Sequence, residues 1–249
     1  MELLPGIVHG VVLTYTSHPM DTVKTRLQTG MYSSTRDCMR NTFKQEGIRG
    51  LYRGASMPLL GNLSKAYQFT MFERLKGNGV NPFLSGTISS VCGSMTGNPM
   101  QVIKVNMQAT TEKSYSGIVP FVKTHYRKHG FMGFYRGLGA NVMKDATFGG
   151  MFFGCYGVIR DKLPNTPLYN IVSASSSSFL CWTMLMPIDY LKTQLQNNGH
   201  NETATQIIRN SIRNRGIRSL WTGYVPAVIR MVPISAITMG IYEYVRRII

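Results

Sequence analysis

One ten-residue pattern occurs three times along this chain. Pro19-Met20-Asp21-Thr22-Val23-Lys24-Thr25-Arg26-Leu27-Gln28 returns as Pro99-Met100-Gln101-Val102-Ile103-Lys104-Val105-Asn106-Met107-Gln108. It returns again as Pro187-Ile188-Asp189-Tyr190-Leu191-Lys192-Thr193-Gln194-Leu195-Gln196. The prolines stand 80 and 88 residues apart, so the chain divides into three units, at residues 1–78, 79–163 and 164–249. Two further echoes keep the same order. Leu51-Tyr52-Arg53-Gly54 matches Phe134-Tyr135-Arg136-Gly137 and Leu220-Trp221-Thr222-Gly223. Phe72-Glu73-Arg74-Leu75-Lys76 matches Tyr242-Glu243-Tyr244-Val245-Arg246, with a degraded copy at Tyr156-Gly157-Val158-Ile159-Arg160. A long internal period of this kind marks a fold built from repeated units.

The net charge of +16 would suit nucleic acid or an anionic surface. That figure averages two unlike populations. No charge occurs from Gly77 to Ile103 or from Leu163 to Ile188, while bases crowd into Arg36–Arg53, Lys123–Arg136 and Arg209–Arg218. Apolar stretches of roughly 20 residues suit a bilayer about 30 Å thick. They are rich in Gly, Ser and Thr, which let membrane helices approach closely. The basic clusters all fall between the two halves of a unit, so they share one side of a membrane, as a positive-inside bias requires. A basic nucleic-acid-binding protein leaves the charge-free stretches unexplained.

Six spanning helices are predicted, at Leu3–Gln28, Ala55–Lys76, Pro82–Gln108, Gly139–Lys162, Leu168–Gln196 and Val225–Ile248. The odd ones carry a proline that removes a backbone hydrogen bond. In a membrane such a break survives where neighbours or water satisfy the freed carbonyl. The three breaks are therefore expected to face one another around a shared axis. Short amphipathic helices, such as Thr35–Gln45 and Pro120–Lys128, join odd to even. The acid and base of each odd helix are three residues apart and project from one face. The four cysteines, Cys38, Cys92, Cys155 and Cys181, show no paired spacing, so neither disulfides nor zinc are expected. His125 and His129 are spaced for a metal, but no third ligand stands nearby. Neither an enzyme nor a cofactor is indicated, and no Arg-rich leader precedes the first apolar stretch.

These three ordered motifs resemble the mitochondrial carrier family over essentially the whole chain. The resemblance implies an all-α membrane protein, with six transmembrane helices in three pseudo-threefold repeats around a central cavity. It implies the mitochondrial inner membrane, a monomer, and bound cardiolipin at turns such as Tyr115-Ser116-Gly117 and Tyr135-Arg136-Gly137. On the amphipathic-helix (matrix) side it implies a ring pairing Asp21 with Lys104, Asp189 with Lys24, and Gln101 with Lys192. Gln28, Gln108 and Gln196 would brace that ring. Gln101 departs from the family pattern, so one of three ion pairs becomes a hydrogen bond. The opposite (cytoplasmic-side) gate would use Glu73, Lys76, Arg160, Glu243 and Arg246, with Gly157 standing where an acid is expected.

Seven residues past the glycine of each aromatic-base-Gly turn lie Gly61, Lys144 (followed by Asp145) and Arg230. These positions resemble the family's substrate contact points, and Lys65 lies one turn past Gly61. A base followed by an acid resembles the amino-acid and carnitine branch: cations hold a carboxylate while Asp145 holds an ammonium. The implied activity is alternating-access exchange of such a zwitterion. Nucleotides or di- and keto-acids remain open, because Lys65, Lys144 and Arg230 suit phosphate or carboxylates too.

Overall fold

A computed structural model describes residues 3–110, 117–160, 162, 167–197 and 202–231. The described chain is helical: α1 Leu3–Gln28, α2 Thr35–Leu51, α3 Ser56–Gly77, α4 Pro82–Ala109, α5 Ile118–His129, α6 Leu138–Arg160, α7 Pro167–Asn197 and α8 Ala204–Arg215. Short 3-10 turns at Phe131–Tyr135 and Ile217–Trp221 lead into the next helix, and residues 224–231 are helical again.

Each unit has the same plan. A long helix with an internal proline (Pro19, Pro99, Pro187) is followed by a short helix, a glycine turn and a further helix, which is long in the first two units and described over residues 224–231 in the third. A glycine of the same kind breaks α2 and ends α5 and α8. Gly47, Gly130 and Gly216 have φ of 65°, 62° and 74°, a backbone region that side chains with a Cβ disfavour. At α8 the start is also written in the sequence: Thr203 and Gln206 form a reciprocal capping box.

The long helices have 22 to 31 residues, against about 20 for a span. Even so, no helix among the described residues is long and apolar enough to cross a membrane. The physical reason is composition. The predicted spans are diluted by Ser, Gly and Thr, and the odd ones run on through charged residues. Small residues do bring helices together: a Cβ on Gly93 of α4 would lie 2.7 Å from Oε1 of Gln68 on α3. α3 packs along α4, and α6 along α7.

The units close into a ring through their second glycines. Gly54, Gly137 and Gly223 have φ of 78°, 73° and 86°. Each lies against the odd helix of the next unit. A Cβ at Gly54 would meet Met107 Cβ at 3.4 Å and the Lys104 carbonyl at 3.6 Å. At Gly137 it would meet Gln196 at 3.1 Å and the Lys192 carbonyl at 3.5 Å. At Gly223 it would meet Lys24 at 3.0 Å and Gln28 at 3.3 Å. Unit one therefore docks on two, two on three and three on one, each on the turn bearing the patterned lysine.

The arginines of the first two turns continue that docking. Arg53 donates to the Thr110 carbonyl at 2.9 Å, and Arg136 to the Glu202 carbonyl at 3.0 Å. In the third turn Thr222 replaces the arginine, and Trp221 instead donates its indole N–H to Thr183 at 2.9 Å. The residue before the proline holds the turn of its own unit: His18 Nε2 contacts the Arg53 carbonyl at 3.0 Å, and Asn98 donates to that of Phe134 at 2.9 Å. All four cysteines are free thiols. Cys38 is buried against Val23 and Leu27, where burial pushes its thiol up.

Candidate functional site: an ionic ring below a central set of charges

The acid and base of each repeated pattern meet across units. Asp21 Oδ2 lies 2.7 Å from Lys104 Nζ, and Asp189 Oδ2 lies 2.5 Å from Lys24 Nζ. Lys192 donates to Gln101 Oε1. All three contacts run in one sense, from the acid position of one odd helix to the base of the next. Two are therefore ion pairs and the third joins an amide to a cation.

Of the three glutamines expected to brace this ring, one reaches it. Gln28 donates to Asp189 Oδ2 at 3.2 Å. Gln108 instead bonds to Thr25 and Thr22, and Gln196 donates to Asn98 at 3.4 Å.

A second ring, invisible from charge pattern alone, lies one turn further along. The residue seven past each proline donates to the carbonyl nine past the next. Arg26 Nε donates to Gln108 O at 3.0 Å, Asn106 to Gln196 O at 2.8 Å, and Gln194 to Gln28 O at 2.5 Å. These carbonyls lie in the last turns of their helices, where intrahelical donors run out. Three different side chains thus perform one task, which is why they did not register as a motif.

The first copy carries a charge as well. Arg26 is wholly buried and pairs with Glu46 of α2 at 2.7 Å while donating to Thr42 at 2.7 Å. Glu46 also lies 3.7 Å from Arg53.

The contact-point residues lie in reach of this ring. Arg230 NH1 is 2.5 Å from Asp21 Oδ1, so Asp21 serves two cations at once. Lys144 pairs with its neighbour Asp145 at 3.3 Å. Asp145 accepts from Ser94 of α4 at 3.3 Å. Nothing lies within 4 Å of a Cβ built on Gly61, so that corner is open space. The first unit lacks a base at its contact point (Gly61), and the second unit lacks the acid of its repeated pattern (Gln101).

The sequence reading missed Trp182. It stands five residues before Pro187 on α7, a position singled out by no charge or repeat. Its ring lies 4.7 Å from Lys24 Nζ and 5.1 Å from the Arg230 guanidinium, within cation–π range of both. Phe148 of α6 flanks it at 6.1 Å.

Lys65 lies on α3 and Arg160 ends α6, but their side chains fall outside the described set. Glu73 and Lys76 are exposed on the last turns of α3. Glu243, Arg246, Tyr115 and Ser116 lie outside the described residues.

Restoring the missing acid gives a direct test of the ring. Gln101→Glu should pair with Lys192 and add about 1 kcal/mol to closure. Exchange in liposomes is then expected to slow roughly fivefold, with a raised thermal midpoint. Unchanged exchange would mean that this contact does not limit opening.

Comparison with known proteins agrees with this threefold construction. The family described as "Mitochondrial carrier protein" matches residues 1–80, 76–167 and 163–249. The chain is 31% identical to the rat mitochondrial carnitine/acylcarnitine carrier protein, over 94% of this chain and 89% of that one. It is 27% identical to the Schizosaccharomyces pombe glutamate/glycine mitochondrial carrier ymc1, covering 98% and 93%. It is 26% identical to the mouse mitochondrial ornithine transporter 1, covering 100% and 94%. The chain belongs to the mitochondrial carrier family, as a multi-pass metabolite carrier of the mitochondrial inner membrane.

Proposed function

We propose that the carried metabolite is a small zwitterion, an amino acid or carnitine ester, exchanged by alternating access. The observation that carries this reading is the set of opposite charges at two of the three contact points, Lys144-Asp145 and Arg230. Arg230 supplies a guanidinium for a carboxylate. Asp145 supplies an acid for an ammonium, and its side chain keeps 39% of its surface exposed, against 8% to 22% for the ion-paired side chains of the ring and Arg230. An acid that exposed retains lone pairs for a ligand. The aromatic face of Trp182 adds a surface suited to an ammonium. The relatives named for carnitine, glutamate/glycine and ornithine carry substrates of this charge type, which supports the reading.

In this reading six helices span the membrane in three repeats, at 1–78, 79–163 and 164–249. The ring of Asp21, Lys24, Gln101, Lys104, Asp189 and Lys192 is the gate on the matrix side, with Gln28 bracing it. Glu73, Lys76, Arg160, Glu243 and Arg246 form an incomplete gate on the other side. Desolvation offsets much of the Coulomb gain in each pair, so the closed gate is only modestly favoured. A substrate can open it to the extent that it binds the transition between states better than either closed state. The carrier works as a monomer, with cardiolipin at the glycine turns, where free amides suit a phosphate.

The test is exchange by purified protein in liposomes. Amino acids with carnitine, nucleotides, and di- and keto-acids are each preloaded separately. Zwitterion exchange that is lost in Asp145→Asn is the expected result. Exchange of nucleotides or organic acids that survives Asp145→Asn but fails in Arg230→Ala would sink the zwitterion reading. Asp145 would then be a structural partner of Lys144.

A further inference from the structure

The space between the odd helix and the short helix is equivalent in all three units, and it is filled in three different ways. In the first unit the buried Arg26–Glu46 ion pair and Thr42 fill it. In the second, His125, the counterpart of Thr42, stacks on Phe121 at 5.3 Å and meets Phe134 and His129, the counterpart of Glu46, at 4.8 and 4.7 Å in tilted contacts. In the third, the counterpart of Arg26 is Gln194 and that of Glu46 is Arg215. The base has become an amide and the acid a base, so the ion pair cannot form. Gln194 turns to the Gln28 carbonyl, and a cavity of about 210 Å³ remains.

We propose that this cavity, between α7, α8 and the end of α1, is a second binding site for a small zwitterion, a carboxylate bearing an ammonium group. Its wall is polar: Arg215 and Glu202 supply the two charges, and Asn210, Asn214, Ser211 and Tyr190 line it with them. Among the described residues no carboxylate lies within ion-pair distance of Arg215. Its guanidinium sits over the C-terminal end of α1, where a Cβ on Gly30 would approach it to 3.0 Å. Glu202 is held in place: its backbone carbonyl accepts from Arg136, and Asn210 donates to its Oε1 at 3.3 Å. Tyr190 and Ser211 bond to each other at 3.0 Å and fix the floor. A guanidinium and a carboxylate in one wall, lined also by amides and hydroxyls, recognise opposite charges on one small molecule. The volume limits the ligand to roughly amino-acid size. The site does not depend on the reading of the central charges, because it stands on other residues.

The test uses the full chain in detergent with the central site disabled. Equilibrium binding of radiolabelled glycine and carnitine is measured on Arg230→Ala. Saturable binding of at least one is expected to persist, and to weaken at least tenfold when Arg215→Gln is added. Arg230→Ala combined with Arg215→Lys should retain it within a few-fold, which separates loss of charge from misfolding. Glu202→Gln should weaken the zwitterion while leaving acetate competition unchanged. No saturable binding in Arg230→Ala would overturn the proposal, as would binding indifferent to Arg215→Gln. Acetate or inorganic phosphate competing as well as the zwitterion would overturn its assigned class.

Discussion

Asp21→Asn is expected to cost about 3 kcal/mol of stability and to reduce exchange by more than tenfold. The carboxylate holds Lys104 at 2.7 Å and Arg230 at 2.5 Å, and all three side chains are more than three-quarters buried. An asparagine leaves two cations close together with no counter-charge. The thermal midpoint in detergent is then expected to fall by roughly 6 to 12 °C, taking about 2–4 °C per kcal/mol for a chain of this size. Adding Lys104→Met removes one of the stranded cations and should restore part of the loss. A double variant no more stable than Asp21→Asn would show that the cost does not come from the unpaired charge. Asp189→Asn offers the internal comparison. Its carboxylate pairs with Lys24 and accepts from Gln28, but it makes no contact with Arg230 among the described residues, so substrate affinity should change less.

Arg26→Ala is expected to destabilise the fold by about 3–5 kcal/mol with no direct effect on substrate recognition. This arginine is wholly buried and joins three helices: α1 carries it, α2 supplies Glu46 and Thr42, and α4 supplies the Gln108 carbonyl. Truncation leaves a buried carboxylate with one distant base, Arg53, and an unmet carbonyl at the end of α4. Arg26→Gln separates the two contributions. It copies Gln194 of the third unit, which makes the equivalent contact to a carbonyl without a charge. It should therefore keep the inter-unit hydrogen bond, lose the Glu46 pair and fall between wild type and Arg26→Ala in midpoint. Equal midpoints for the Gln and Ala variants would assign the whole effect to the ion pair.

The fold was legible because its signals are periodic. Proline, acid, base and glutamine recur at fixed offsets, and five of the six long helices begin and end within a few residues of where the pattern places them. The cross-unit pairs followed from the family resemblance and the sense of the ring, and the structure brings those residues together. What stayed hidden lacks repetition of residue type. Arg26, Asn106 and Gln194 share a role but not a chemistry, and Trp182 has no counterpart to flag it. The repeat gives Gln28, Gln108 and Gln196 one role, but Gln108 bonds to Thr25 and Thr22 and Gln196 to Asn98.

The sequence by itself determined which residues share a helix face, since three- and four-residue spacing places side chains on one side of a helix. It also determined that three such faces exist in order. Only the tertiary structure decided which face meets which: that Asp21 serves both Lys104 and Arg230, that Trp182 lies beside two cations, and that the third unit leaves a cavity where the first has an ion pair. Helix spacing is a local property of the backbone. The partner across an interface depends on how separate helices pack and turn against one another, and that is set by side-chain volumes and glycine contacts far apart in the chain.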